Sequence, residues 1–254
     1  YPEFKQDGRK VIWLHCVSVG ETNAARPLVN KLVDEFPEYR LVVSTTTRTG
    51  QELARKIFAE KAAAVIYFPF DWKFSVRRAI DHFKPSLILL METEIWPRFL
   101  YEAKQAGAKI SIVSGRLSDR SARRYSKVRS FISRVVNDID LALMQGEQDS
   151  RRIASLGLPE TKTFVTGNLK FDLKTDENES RATKELDERF AFSGARPVIA
   201  AASTHEPEEL WILAAYRSLA ADDASRPRLL IAPRHPERFD SVTKTVNEFR
   251  DDPS

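Results

Sequence analysis

The stretch Leu14-His15-Cys16-Val17-Ser18-Val19-Gly20-Glu21 (LHCVSVGE) joins two patterns: the apolar run VIWL enters it, and ETNAARPLVNKLVDEF leaves it with apolar residues at helical spacing. A strand therefore ends in Ser-x-Gly, and a carboxylate stands where a helix begins. In an open α/β sheet, ligands bind in the crevice beyond the carboxyl ends of the strands. Two readings of Glu21 are open here. It is either a first-turn carboxylate complementing the helix dipole, worth about 0.3–1 kcal/mol, or a group held for a ligand.

Outward from this stretch, short apolar runs alternate with helical-period segments. The expected strands are VIWLHCV (11–17), RLVVSTT (40–46), AAVIYF (63–68), SLILLME (86–92), AKISIVS (108–114), LALMQ (141–145) and KTFVTG (162–167). Such alternation builds βαβ units, hence a parallel sheet covered on both faces. The stretch KFDLKTDENESRATKELDER (170–189) is poor in large apolar residues and reads as a linker entering a helix. The pattern then restarts with RPVIAAAS (196–203), a helix over about 206–220, RPRLLIAP (226–233) and a helix over about 236–250. The expected organisation is an N-terminal domain over 1–172, a linker and helix over 173–195, and a C-terminal domain over 196–254 that is incomplete, because two strand–helix pairs cannot cover a sheet.

The composition narrows the class. The 254 residues are 42% hydrophobic and 30% charged, enough to build a core, and the formal charge of +4 suits an anionic ligand or membrane surface but is too small for a nucleic-acid binder. The single cysteine excludes an intrachain disulfide framework and a multi-cysteine zinc site. No apolar run reaches the roughly 18 residues of a spanning helix. The start YPEFKQDGRK is not a signal peptide and has no initiator methionine, so the chain is expected to begin downstream of another segment. P-loop, G-x-G-x-x-G, H-E-x-x-H and C-x-x-C patterns are all absent. Residues His15 and Cys16 cannot form a base–nucleophile pair, because strand neighbours point to opposite faces; Cys16 reads as core.

Other strand ends carry polar chemistry on the same rim. STTTRTG (44–50) places hydroxyls and Arg48 before a helix start, fit either to hold an anion or simply to cap the helix. METEIWP (91–97) brings Glu92 and Glu94, which strand alternation would set on one face. VTGNLKFD (165–172) adds Lys170, and APRHPER (232–238) adds Pro233, Arg234, His235 and Arg238. The stretch RLSDRSARRYSKVRSFISR (116–134) holds seven Arg or Lys residues against one Asp. It reads as a basic helix that either faces phosphates or anionic lipid or is simply solvated.

As a set, HCVSVGE, STTTRTG, FPFDW (68–72), ETEIWP, GRLSDRS (115–121), VTGNLKFD, STHEPEE (203–209) and PRHPERF (233–239) resemble the Kdo transferases, from about residue 11 to residue 240. Those enzymes move 3-deoxy-D-manno-octulosonic acid (Kdo) from CMP-Kdo onto lipid A precursors in lipopolysaccharide synthesis. The resemblance implies an α/β protein of GT-B fold: a complete N-terminal Rossmann-like domain for the acceptor and the first part of a second for CMP-Kdo. It places Glu21 on the catalytic base and Glu92 and Lys170 on transition-state-stabilising positions, with Glu94 a rival to Glu92. Ser18, Gly20, Arg48, Glu94, Arg116 and Arg120 fall on the acceptor side. Ser203, Thr204, Pro233, Arg234 and His235 fall on the CMP side. GRLS and MQGEQD depart from the family's usual forms, and its further nucleotide loops lie beyond Ser254.

The implied reaction is inverting and needs no metal and no cofactor, CMP-Kdo being a substrate. The implied partners are CMP-Kdo, the lipid A precursor and an anionic membrane surface, at the cytoplasmic face of the bacterial inner membrane, without the family's N-terminal membrane segment. The helix N-terminus is expected to lower the pKa of Glu21 and make it a weak base. Competing readings are another GT-B enzyme, such as a sugar-nucleotide epimerase, and a non-catalytic glycolipid-binding scaffold. CMP binding is required of the transferase, whereas the epimerase would prefer a UDP-sugar and the scaffold would bind neither.

Overall fold

The computed structural model describes residues 1–4, 6–173, 177–192, 196–219 and 227–251; parts of the expected linker over 173–195, the end of the helix expected to reach 220 and the start of the strand expected at 226 lie outside these. By packing, the chain divides into two compact units, Tyr1–Lys174 and Thr175–Ser254.

In the first unit, β1 (Lys10–His15), α1 (Val19–Ala24), α2 (Arg26–Glu35), β2 (Tyr39–Thr45), α3 (Arg48–Phe58) and β3 (Ala64–Tyr67) come first. They are followed by α4 (Lys73–Phe83), β4 (Pro85–Met91), α5 (Pro97–Gln105), β5 (Lys109–Gly115), α6 (Asp119–Ser126), α7 (Arg129–Val136), β6 (Leu141–Met144), α8 (Glu147–Ser155) and β7 (Thr163–Val165). The seven strands form one parallel sheet in the order β3-β2-β1-β4-β5-β6-β7. The order reverses between β1 and β4, which pair from Ile12↔Leu87 to His15↔Leu90. That junction is the switch point at which such sheets open a crevice.

Strand alternation sorts the core into two layers. Val11, Trp13, Ile88 and Leu90 pack with Phe83 of α4 and Phe99 of α5. Ile12, Leu14, Cys16 and Met91 face the other way, against Ala24, Val29 and Phe58 of α1 to α3. His15 and Cys16 are both fully buried, and His15 stacks on Phe68 with ring centroids 4.0 Å apart. Burial drives the His15 pKa down to about 4, and burial with the nearby Glu21 charge drives that of Cys16 well up, so neither is a nucleophile–base partner for the other.

The second unit comprises α9 (Glu177–Phe190), β8 (Val198–Thr204), α10 (Glu208–Ser218), β9 (Arg228–Pro233) and α11 (Phe239–Asp251). β8 and β9 pair in parallel. Among the described residues its buried apolar side chains are Leu213 and Val242.

The basic stretch differs from the single helix expected. It breaks into α6 and α7 around Lys127–Val128, where Val128 departs from helical geometry (φ −121°, ψ 34°).

Candidate functional site

Glu21 is built into the turn after β1. Ser18 occupies the N-cap of α1, so Glu21 is its third helical residue, the position from which a carboxylate reaches back to the chain entering the helix. Its Oε2 accepts the Val17 N–H at 2.8 Å, and its Oε1 accepts the Ser18 hydroxyl at 3.1 Å. The turn is locked from the neighbouring strand: the N–H groups of Thr46 and Thr47 both donate to the Val17 carbonyl at 3.2 Å. Gly50 permits this approach, since a Cβ there would lie 2.8 Å from Thr47 Oγ1 and 3.4 Å from the backbone of Val17 and Ser18. Thr47 caps α3 by accepting the Gly50 N–H at 3.1 Å, so the capping reading of STTTRTG is realised. Arg48 remains 83% exposed, with Glu52 at 3.9 Å.

The expectation for the acidity of Glu21 is overturned in sign. Its pKa is raised: burial is the largest cause and the Glu92 charge adds to it, outweighing the Val17 and Ser18 hydrogen bonds and the attraction of Lys170. A short helix of six residues does not offset the loss of water.

Glu92 and Glu94 are not set together by strand alternation. β4 ends at Met91, and Glu92 itself adopts a left-handed backbone (φ 55°) with its N–H bonded to the Val113 carbonyl at 3.0 Å. A non-glycine residue held there stores strain of the kind found at functional sites. The Glu92 carboxylate meets Lys170 at 3.7 Å. Glu94 is pushed up to about 7, first by burial and then by the Glu21 charge, with Glu92 adding a smaller push. The Trp96 indole N–H opposes this without a hydrogen bond of normal geometry, its nitrogen being buried and unpartnered. Glu21, Glu92, Glu94 and Lys170 thus act on one another electrostatically at the β1–β4 switch point.

Lys170 reaches this cluster because the ends of β5 and β6 hold its turn. Gln145 Nε2 donates to the Ser114 carbonyl at 2.9 Å, Asn168 Nδ2 donates to Gln145 Oε1 at 3.1 Å, and Asn168 Oδ1 accepts the Lys170 N–H at 2.9 Å. Ser114, also left-handed at φ 52°, accepts the Leu169 N–H at 3.3 Å. Sequence reasoning missed Ser114 and Gln145; their signal was polarity at the ends of two more strands. Gly20, Arg116 and Arg120 are exposed. Among the described residues, no group of three or more His, Cys, Asp or Glu is placed to hold a metal ion.

In the second unit, the strand ends bring the remaining candidates together. Thr204 pairs with Pro233, the Arg234 N–H donates to the Thr204 carbonyl at 3.0 Å, and the His205 and His235 rings lie 5.6 Å apart edge to face. Ser203 is exposed with φ 61° beside a register shift, and Arg234 and His235 are exposed. Thr204, which the resemblance puts on the CMP side, is buried, and its hydroxyl donates to Glu209 Oε1 at 2.8 Å. Glu209, which sequence reasoning did not single out, also accepts Arg238 Nη1 and Nη2 at 2.8 and 3.1 Å. The Arg238 hydrogen bond outweighs burial and holds the Glu209 pKa down at about 2.

Residues 1–173 match the protein family described as 3-deoxy-D-manno-octulosonic-acid transferase (kdotransferase). A 3-deoxy-D-manno-octulosonic acid transferase of Haemophilus influenzae is 37% identical over 93% of this chain and 55% of its own length. One of Bordetella pertussis is 34% identical over 91% of this chain and 54% of its own length. The chain thus spans about half the length of the curated relatives it matches. Among solved structures, the UDP-GlcNAc 2-epimerase of Neisseria meningitidis superposes with a TM-score of 0.63 at 16% identity, covering 94% of this chain and 68% of that one. That likeness establishes the GT-B type of α/β fold and nothing about chemistry. Taken with the match over the first unit, the relatives establish that the chain belongs to the 3-deoxy-D-manno-octulosonic-acid transferase family.

Proposed function

We propose that the protein transfers Kdo from CMP-Kdo to a sugar hydroxyl of a lipid A precursor, with inversion at the anomeric carbon. The observation that carries this reading is the pairing of a buried carboxylate of raised pKa, Glu21, with the Glu92–Lys170 ion pair at the sheet's switch point. In the step, the acceptor oxygen bonds to the anomeric carbon as the bond from that carbon to the CMP phosphate oxygen breaks. CMP leaves with the electron pair, and the hydroxyl proton passes to Glu21. The anomeric centre becomes oxocarbenium-like, as in glycosidases, and a neighbouring carboxylate such as Glu92 stabilises it. Lys170 offsets charge gathering on the departing phosphate. Ser18, Gly20, Arg48, Arg116 and Arg120 are assigned to the phosphorylated acceptor, and Ser203, Pro233, Arg234 and His235 to CMP, Thr204 now contributing through its backbone. The exposed cations of α6 and α7 would face anionic headgroups of the membrane that holds the acceptor.

A second reading makes Glu94 the base, because its pKa of about 7 matches the operating range of a general base. Transfer by the full-length protein separates the two. Glu21→Gln should lower the rate by about 10²–10⁴-fold with CMP affinity unchanged. Retention of more than about a tenth of the rate, well above what loss of a general base leaves, together with collapse in Glu94→Gln, would move the role to Glu94.

A further inference from the structure

The loop after β3 holds three aromatic side chains out in water: Phe70, Trp72 and Phe74 are 74%, 64% and 69% exposed. They form one row, with Phe70 and Trp72 stacked at 5.5 Å and Trp72 and Phe74 at 6.5 Å. The row is mounted rigidly. Asp71, between the first two rings, accepts the Phe99 and Arg98 N–H groups of α5 at 2.7 and 3.1 Å, and the Trp72 N–H donates to the Phe70 carbonyl at 2.7 Å. A helix cap is thus committed to displaying a contiguous aromatic patch, a feature that marks an interaction surface.

The charges around it select the partner. Lys73, Arg77 and Arg78 are exposed on α4 beside the rings. Arg77 is bonded to Glu102 at 2.7 Å and the Asp71 carboxylate is turned to the α5 cap, which leaves Lys73 and Arg78 as the exposed cations nearest the rings, with the exposed Asp81 one turn further along α4. Half-exposed Tyr101 and Phe131 line a groove with Asp71, Arg134 and Asp138 and extend the aromatic surface. Aromatic rings flanked by Lys and Arg match a bilayer interface, where rings sit at headgroup depth and cations meet anionic lipid. The loop also lies at the carboxyl end of a strand of the parallel sheet, the rim that carries Glu21 and Glu92.

We propose that the Phe70–Trp72–Phe74 row inserts into the interface of an anionic lipid bilayer, with Lys73 and Arg78 on its headgroups. This would hold the Glu21 rim against the membrane. The orientation, though not the docking itself, rests on the reading of the acceptor as a membrane glycolipid.

The test is partition of the 254-residue chain onto vesicles of phosphatidylethanolamine and phosphatidylglycerol, with phosphatidylcholine vesicles as the neutral arm. The wild-type chain should bind the anionic vesicles preferentially, and added salt should weaken binding. Phe70→Ser, Trp72→Ser and Phe74→Ser together should lower partition by about tenfold or more, since reversible anchoring scales with the apolar area buried. Far-ultraviolet circular dichroism should stay unchanged. Lys73→Gln with Arg78→Gln should lower it by about fivefold per charge. Tryptophan emission should shift to the blue on binding and fail to do so in Trp72→Phe. Equal partition of the triple variant and wild type would overturn the proposal, as would bound protein whose Trp72 emission is unmoved. So would a wild-type chain that ignores vesicles but self-associates until the triple substitution is made, which would assign the row to a second copy. No donor or acceptor glycolipid is present, so vesicle binding reports on docking alone, and absence of transfer in a separate assay would count against the transferase chemistry alone.

Discussion

The two units treat a carboxylate at a strand end in opposite ways. In the second, Glu209 is enclosed by the Arg238 guanidinium and the Thr204 hydroxyl, and its pKa falls to about 2. In the first, Glu21 is buried and Glu94 half-buried beside Glu92, with Lys170 meeting Glu92, and both pKa values rise. A carboxylate that serves the fold is given the donors it needs. Where burial outweighs the donors, as at Glu21 and Glu94, the carboxyl group keeps its proton to higher pH, the direction required of a group that moves protons. The comparison distinguishes a clamp from a candidate catalytic centre without reference to any relative.

The units also differ in packing, and the largest expected effect tests that. Trp13 is fully buried with Phe83 and Phe99 edge-on at 5.5 and 5.2 Å, whereas Trp211 of α10 is 65% exposed. Trp13→Ala should cost about 3–5 kcal/mol in denaturant unfolding. Trp211→Ala should change stability by no more than about 0.5 kcal/mol. A large loss at Trp211 would mean that its ring is covered in solution and that the second unit is better packed than described.

Next in size is the clamp. Glu209→Ala strips the Arg238 and Thr204 partners and should cost the second unit about 1.5–3 kcal/mol. Hydrogen exchange should accelerate in β8, β9, α10 and α11 and remain unchanged in β1 to β7. Acceleration throughout both units would show that the clamp stabilises more than its own sheet.

The smallest effect carries the sharpest sign. Because the native pKa of Glu94 is about 7 against an ordinary 4.5, the native state binds more protons than the unfolded state between those values. The stability from Glu94 is therefore present below pH 4.5 and lost as pH rises through 7. Glu94→Gln should match wild type in melting temperature near pH 4.5 and exceed it at pH 8. The reverse order would mean that Glu94 is stabilised as an anion.

Much of this was legible in the chain. Short apolar runs alternating with helical-period segments placed the strands and parallel connections, and strand-end polarity picked out Glu21, Glu92, Lys170 and Arg234. What stayed hidden depends on contacts between distant segments. The acidity of Glu21 was read from its helix N-terminus, a local cue, but burial under the rim decides the sign. The meeting of Lys170 with Glu92 needs Ser114 and Gln145 on two other strands, which no spacing reveals. Nothing in the spacing says that the Thr204 hydroxyl is held by Glu209, five residues on. FPFDW was visible as a motif, yet nothing in its letters says that Asp71 caps α5 while Phe70 and Trp72 face water.

The most direct test is a carbon-13 nuclear magnetic resonance titration of the glutamate carboxyl groups in the 254-residue chain, assigned by Glu21→Gln, Glu94→Gln and Glu209→Gln. Glu94 should titrate at about 7 and Glu209 at about 2 in the same sample, with Glu21 above the ordinary 4.5. Because Glu21 and Glu94 interact, removing either should shift the titration of the other downward. If Glu21 and Glu94 instead titrate below the ordinary value, like Glu209, the rim holds only structural carboxylates and the proton-transfer centre proposed there does not exist.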